Sequence, residues 1–255
     1  MVPTARPDRP AGPLVRGLTV LRHLVSSPEP VSATRIAEIS GMHQSSVSRI
    51  LGILASEGYI RRTNSQWYEP DFGVLSLSTA AVKRFDLATK PYDAMRTAAR
   101  AHPGFSFSLG VLFKGEVLYF LRFTHGHEPE TFSAPAFPLH LSAPGLRLLH
   151  LQPRPDALAT LRLSQEVRGW EQPTTAVPDS PEELLDVTAG RMVDDCLVLN
   201  MWSSPNSVSA AIPVAAPGEV PTALAVAGPA GLVDAATLAS WLHTHVDAVA
   251  ESLRS

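Results

Sequence analysis

The sequence predicts an α+β chain of two modules: an N-terminal winged helix-turn-helix, then linker helices, then a C-terminal mixed sheet with helices packed on it. Three observations lead there. The 255 residues exceed an ordinary single domain of about 100 to 150. Apolar residues recur at helical spacing in the first part and change to near-continuous runs from Phe105 onward. Charge divides the same way, because residues 1–68 hold eight arginines against four acids, whereas the remainder is acidic within an overall charge of −3. A basic module joined to an acidic one points to an anionic partner for the first alone.

Composition sets further bounds. With 45% hydrophobic and 18% charged residues, the chain can bury a sizeable core. A single cysteine, Cys196, excludes a disulfide framework and a thiolate-rich zinc site, and it fits a reducing compartment. No apolar run approaches a membrane span, and Met1 to Pro13 carries four prolines in place of a secretory core. A cytoplasmic location is expected, with residues 1–14 as a flexible arm.

Leu18, Leu21, Leu24 and Val25 follow Val15 at helical spacing and stop at Ser26-Ser27-Pro28, which predicts a first helix. Ser32 is the N-cap of a second, about two turns long, with Ile36 and Ile39 inward and Gly41 as its left-handed closing residue. After Gly41, Met42 and His43 the stripe Val47, Ile50, Leu51 and Leu54 runs to Glu57 and Gly58. Short helix, tight turn and longer helix make a helix-turn-helix. The polar side of the third helix presents Gln44, Ser45, Ser46, Ser48, Arg49 and Gly52, amide, hydroxyl and guanidinium groups suited to base edges and phosphates. Thr34 and Arg35 open the second helix, where backbone phosphate is received. Tyr59 to Arg62, Thr63-Asn64-Ser65 and Gln66 to Tyr68 read as strand, turn and strand, a wing carrying Arg61, Arg62 and Asn64. The competing interpretation is an amphipathic helix pair with solvated serines; charge, caps and hairpin together favour duplex DNA. Arg6, Arg9 and Arg16 are candidate arm contacts.

Pro70 and Asp71 end the wing, so the first module spans 15–70. Asp71 caps a helix carrying Phe72, Leu75, Val82 and Phe85, and Thr89 and Pro91 begin another that reaches Ala101; residues 71–101 form a linker that either packs distally or dimerises. In the distal module, 102–255, strands Phe105 to Phe113 and Glu116 to Phe123 flank a Lys114-Gly115 turn. Further strands fall at Leu197 to Met201, Ser207 to Val214 and Pro221 to Ala227, the last two separated by a Pro217-Gly218 turn. Ser180-Pro181-Glu182-Glu183 opens a helix, and Leu238, Trp241, Leu242, His245, Val246, Val249 and Leu253 form the closing one. Ser142 caps a helix beginning at Pro144, whose first-turn amides suit a carboxylate.

Ser32 to Tyr68, with Ile36-Ala37-Glu38, Gly41, Ser45-Ser46-Val47, Arg49-Ile50-Leu51, Leu54 and Glu57-Gly58-Tyr59, resembles the winged helix-turn-helix of IclR-type transcriptional regulators. Phe137 to Gly145, Gly190 to Asp195, Ala211 to Val214 and Ala223 to Pro229 extend the resemblance from Val15 over nearly the whole chain. It implies a GAF-like effector-binding domain, dimers joined near the DNA-binding ends and small-molecule control. In family members that bind small oxo-acids, main-chain amides matching Ala143 and Pro144 hold the carboxylate, and Pro144 has none to offer. Polar positions of the family pocket match Asp194, Ser209, Ala225 and Ala227, two of them reduced to methyl groups. A tiny charged acid is therefore disfavoured, and the expectation is a mainly apolar or aromatic effector oriented by Asp194 and His140, close to Ser142 and Ala143.

Catalytic chemistry is weaker. Asp194 and Asp195 beside Cys196 raise its thiol pKa, which disfavours a nucleophile. His125 and His127, with Glu128 and Glu130, have a spacing that can chelate a metal but is commoner in solvated loops. There is no glycine-rich phosphate loop and no Gly-x-Ser-x-Gly elbow. No enzyme activity, cofactor or metal is expected. The expectation is a ligand-responsive regulator, a repressor in preference to an activator, acting as a homodimer or tetramer on a double-stranded operator. The rival is a small-molecule enzyme or carrier whose first module mediates protein contacts.

Overall fold

The computed structural model describes residues 12–64, 66–82, 84–133, 138–215 and 220–254, and the chain divides into two compact units between residues 84 and 85. The expected arm contacts Arg6 and Arg9, Ser65 of the wing turn, Phe137 and the Pro217-Gly218 turn lie outside the described residues.

The first unit contains α1 (Pro13–Val25), β1 (Val31–Ser32), α2 (Ala33–Ser40), α3 (Gln44–Ser56), β2 (Ile60–Arg62), β3 (Trp67–Pro70) and α4 (Phe72–Val82). The Ser32 side chain accepts from the Arg35 amide, and Gly41 at φ 63° closes α2. Val20, Leu24, Val31, Ile36, Ala37, Val47, Leu51 and Ile60 form the core. On α1 the inward residues are Val20 and Leu24, whereas Val15, Leu18 and Val25 of the expected stripe are exposed. α1 carries apolar residues on two sides, and only packing against α2 and α3 selects one. Ile39 is likewise 43% exposed, because α2 is inward along Ile36 and Ala37 and Ile39 falls beyond the edge of that stripe.

The wing gains a third strand that periodicity did not indicate: β1 pairs antiparallel with β3 at Val31–Tyr68 and Ser32–Trp67. β2 pairs with β3 from Ile60–Pro70 to Arg62–Tyr68, so the second wing strand starts one residue and ends two residues later than expected. Asp71 caps α4 through a 2.8 Å bond from the Phe72 amide. The Gly73 amide donates to the Gly58 carbonyl at 2.9 Å. A Cβ at Gly73 would meet that oxygen at 2.5 Å, so only glycine lets α4 start there.

The second unit begins with α5 (Asp86–Thr89) and α6 (Tyr92–Ala101), so the second expected linker helix is preceded by a separate single turn. Its sheet comprises β4 (Ser106–Phe113), β5 (Glu116–Thr124), β6 (Glu130–Ser133), β7 (Met192–Val193), β8 (Cys196–Asn200), β9 (Ser207–Val214) and β10 (Thr222–Pro229), in the order β6-β5-β4-β10-β9-β8-β7. Every pairing is antiparallel, a correction to the expected mixed sheet. Short turns account for the β4–β5 and β7–β8 pairings, where Lys114-Gly115 at φ 49° and 77° and Asp194-Asp195 at φ 45° and 65° close hairpins. Strands β6 and β7, and the helix α8 below, were not anticipated.

Helices cover both faces. α6 and α10 (Ala235–Arg254) pack on the side of Phe107, Leu121, Val226 and Ala210. A 3₁₀ turn at Leu139–Leu141, α7 (Ala143–Leu149), α8 (Arg154–Arg168) and α9 (Pro181–Ala189) cover the side of Val117, Tyr119, Leu197, Ala211 and Ala225. The α9 cap is as expected, with Ser180 accepting from the Glu183 amide. α6 and α10 are stitched by two imidazoles: His102 Nε2 lies 3.1 Å from His245 Nε2, and His102 stacks on Trp241 with centroids 4.0 Å apart.

Two predictions follow from this packing. Gly73→Ala is expected to destabilise the first unit by about 1–3 kcal/mol, since the obstacle is backbone oxygen rather than a movable side chain; thermal unfolding measures it. Burial holds His102, His245, His140 and His150 below the ordinary imidazole value of 6.5, and for His102 the neighbouring His245 adds to the effect. Because the unfolded chain takes up protons first, their contribution is complete above about pH 6.5 and is lost as pH falls below it. The melting temperature is therefore expected to drop on acidification, and to drop less steeply in a H102Q/H245Q variant.

Candidate DNA interface and effector face

The tight turn sets the pose of α3. Gly41 reverses the chain, and the Met42 amide returns to the Ala37 carbonyl at 3.1 Å. α3 then starts at Gln44 with Val47 and Leu51 fully buried. The same phasing turns Gln44, Ser45, Ser48, Arg49 and Gly52 to solvent, with Ser46 half-buried at the edge. Thr34 and Arg35 are exposed on the first turn of α2. Gln44 Nε2 donates to Thr34 Oγ1 at 2.8 Å, which joins the first turns of the two helices and orients the amide before any ligand arrives. Arg35 meets Glu38 at 3.4 Å in an exposed pair of small energetic weight.

The wing residues are not equivalent. Arg61 Nε donates to its cross-strand partner Glu69 at 2.6 Å, so its charge is already answered within the hairpin. Arg62, one residue on and facing the other way, lies over the Tyr68 ring at 5.6 Å. Asn64 Oδ1 accepts from the Gln66 amide at 3.0 Å and shapes the turn. Sequence spacing placed both arginines on the wing but contains no sign of the Glu69 pairing, which needs the register.

In the distal unit the register sorts the expected effector residues. Two adjacent cross-strand rows face α7: Arg122, Ser108, Ala225 and Ala211, then Thr124, Ser106, Ala227 and Ser209. Ser142 and Ala143 sit over this face, 3% and 2% exposed. Ser142 Oγ accepts from the Gly145 amide at 3.3 Å and lies 3.0 Å from the Tyr119 hydroxyl. Ser209, Ala225 and Ala227 thus lie on one side of the sheet, the side on which Ala143 packs with Ala225. His140 is buried on the 3₁₀ turn, where its Nε2 donates to the Glu171 carbonyl at 2.8 Å and its ring stacks on Trp170 at 4.3 Å. Its Nδ1 is buried without a partner. Asp194 stands apart in the exposed β7–β8 turn, its carbonyl 2.6 Å from His243 Nε2.

Three polar groups on this face were missed. Arg122, Tyr119 and Ser108 lie in strands that read as continuous apolar runs, yet Ser106 and Ser108, and Arg122 and Thr124, recur at period two within them. That alternation is the signal that marks one wetter side.

Nothing catalytic assembles around the remaining candidates. His125 and His127 are exposed, and no cluster of three or more His, Cys, Asp or Glu able to hold a metal occurs among the described residues. Cys196 is fully buried, and burial, reinforced by Asp195, pushes its thiol up to about 11. Maleimide is accordingly expected to leave the native protein unlabelled near neutral pH and to modify it at one site after denaturation, as mass spectrometry would show.

Among the described residues no helix is long and apolar enough to cross a membrane. No curated protein sequence matches the chain. Solved structures do. An IclR family transcriptional regulator from Brucella abortus superposes with a TM-score of 0.79 at 19% identity, over 100% of this chain and 95% of that one. A putative IclR transcriptional regulator from Silicibacter gives 0.74 at 17% identity, over 95% and 96%. An IclR homologue from Microbacterium hydrocarbonoxydans complexed with 4-hydroxybenzoate gives 0.69 at 19% identity, over 95% and 99%. The family model of the IclR helix-turn-helix domain matches residues 13–64, the segment that carries α1, α2, α3 and β2. The chain therefore opens with an IclR-type helix-turn-helix domain and shares over its length the fold of solved IclR family structures.

Proposed function

We propose that the protein is a ligand-responsive regulator that binds a pseudo-palindromic operator as a homodimer or tetramer, acts as a repressor, and changes its occupancy when a small, mainly apolar or aromatic effector binds the α7 face. The observation that carries this reading is the two-sidedness of α3: Val47 and Leu51 are fully buried while Gln44, Ser45, Ser48 and Arg49 are exposed together. A helix clamped by its aliphatic side and free of acids on the other fits the major groove. In this reading Gln44, Ser45, Ser46, Ser48 and Arg49 meet bases or phosphates, Thr34 and Arg35 hold backbone, and Arg62 and Asn64 serve the wing, with Arg61 contributing less because Glu69 answers it. Arg16, exposed near the start of α1, is an additional phosphate contact.

Association of two copies is supported by α4, none of whose residues is buried and on which Phe72, Leu75 and Leu77 are all more than half exposed. The effector reading is supported by the short side chains of Ala225, Ala227 and Ala211 on the side of the sheet that α7 covers, and by the relative complexed with 4-hydroxybenzoate. Coupling requires the effector to bind two arrangements of the DNA-binding units unequally, with the segment 71–101 as the connection.

Footprinting across the neighbouring intergenic DNA, with and without a panel of metabolites, tests the whole proposal; failure to protect any site at low salt defeats it. Within it, Arg49→Ala is expected to cost about 1–3 kcal/mol and to relax discrimination at one base pair. Arg62→Ala is expected to weaken all sequences alike and to reduce the salt slope by about one. Competition binding on operator and scrambled duplexes separates the two, and equal sequence-independent losses would contradict the assignment.

A further inference from the structure

We infer that Gln44 reads an adenine in each half of the operator and that Thr34 is the residue that positions it, through a bond already made in the free protein. The inference rests on the proposal that the polar side of α3 enters the major groove, and it names the base which that side selects.

Gln44 is the first residue of α3 and Thr34 the second of α2, and the turn through Gly41 brings the two exposed side chains together. Gln44 Nε2 donates to Thr34 Oγ1 at 2.8 Å. That bond fixes which way the amide points: with its nitrogen on the hydroxyl, one N–H and the oxygen Oε1 remain for another molecule. An unanchored glutamine can exchange its two ends by rotating about its last torsion. In the major groove adenine is the base that presents an acceptor, N7, beside a donor, the N6 amino group, and one N–H with one carbonyl oxygen satisfies both. Guanine presents two acceptors, N7 and O6, so Oε1 would face O6 with no hydrogen between them. Thymine and cytosine each offer a single polar group and leave half of the amide unpaired.

Thr34 keeps this pose compatible with bound DNA. Its hydroxyl accepts from Gln44, and among the described residues its own hydrogen meets no acceptor, so it remains a donor for a phosphate at the start of α2. Phosphate, Thr34, Gln44 and adenine then form one chain of hydrogen bonds. The neighbouring cation, Arg35, is turned to Glu38 at 3.4 Å. No acid occupies the first turn of either helix to draw the remaining Gln44 N–H away.

Selection of bound duplexes from a random-sequence pool by the full-length protein tests this. The wild type is expected to enrich a motif in which one base pair per half-site is A·T, and Q44A to enrich the same motif with that pair relaxed. Replacing that adenine by 7-deazaadenine, which lacks the N7 acceptor, is expected to weaken the wild type about tenfold and Q44A not at all. T34V is expected to weaken every duplex through the lost phosphate contact and also to lose most of the adenine preference, whereas T34S, which keeps the hydroxyl, retains it. A Thr34 that served phosphate alone would leave the preference untouched. Thermal melts of each variant confirm folding. A G·C pair at the position that Q44A relaxes, no position relaxed by Q44A, or unchanged wild-type affinity for the 7-deazaadenine duplex overturns the role of Gln44, while the enriched motif leaves groove reading by the protein standing. An adenine preference intact in T34V overturns the positioning role of Thr34. A pool with no enriched motif overturns both the inference and the reading beneath it.

Discussion

Burial of Val47 and Leu51 against Val20, Leu24 and Ile36 is the constraint on which the DNA-binding unit depends. α3 has no side-chain N-cap bond of its own and no acid in its first turn to favour its start. Its rotation about its axis is set by that aliphatic seam, and the polar side faces outward only because the seam faces in. Gly41 and the Gln44–Thr34 bond fix the remaining freedom, the angle at which α3 leaves α2. The recognition surface is in this sense a by-product of core packing, which is why it can be polar and acid-free without cost to the fold.

Chemistry that acts locally was legible in the sequence. Ser32, Ser180 and Ser142 cap the helices that follow them, and Lys114-Gly115 closes its hairpin, because each effect reaches only a few residues along the chain. What required distant partners was not legible. The choice between the two apolar sides of α1, the pairing of Val31 with Tyr68, and the uniformly antiparallel sheet all depend on neighbours far away in sequence. The exposed polar side of α3 was readable because one helix carries Gln44, Ser45, Ser48 and Arg49 at fixed angular spacing. The sheet side covered by α7 was readable only in part, since it is assembled from β4, β5, β9, β10 and the start of α7, and Asp194 lies in the exposed β7–β8 turn.

The two arginines on the α7 side of the sheet are held in different ways. Arg147 is enclosed and fully answered by Asp195, and it secures α7 to the β7–β8 turn. Arg122, on β5, lies over the Tyr119 ring and pairs loosely with its cross-strand neighbour Glu130 at 3.9 Å.

The contact between Gly73 and Gly58 has a mechanical corollary. Because the first turn of α4 is pressed backbone to backbone against the bend that ends α3, those two segments must travel together. A pivot within the connector therefore lies downstream of residue 73, and the first turn of α4 moves as one piece with the end of α3.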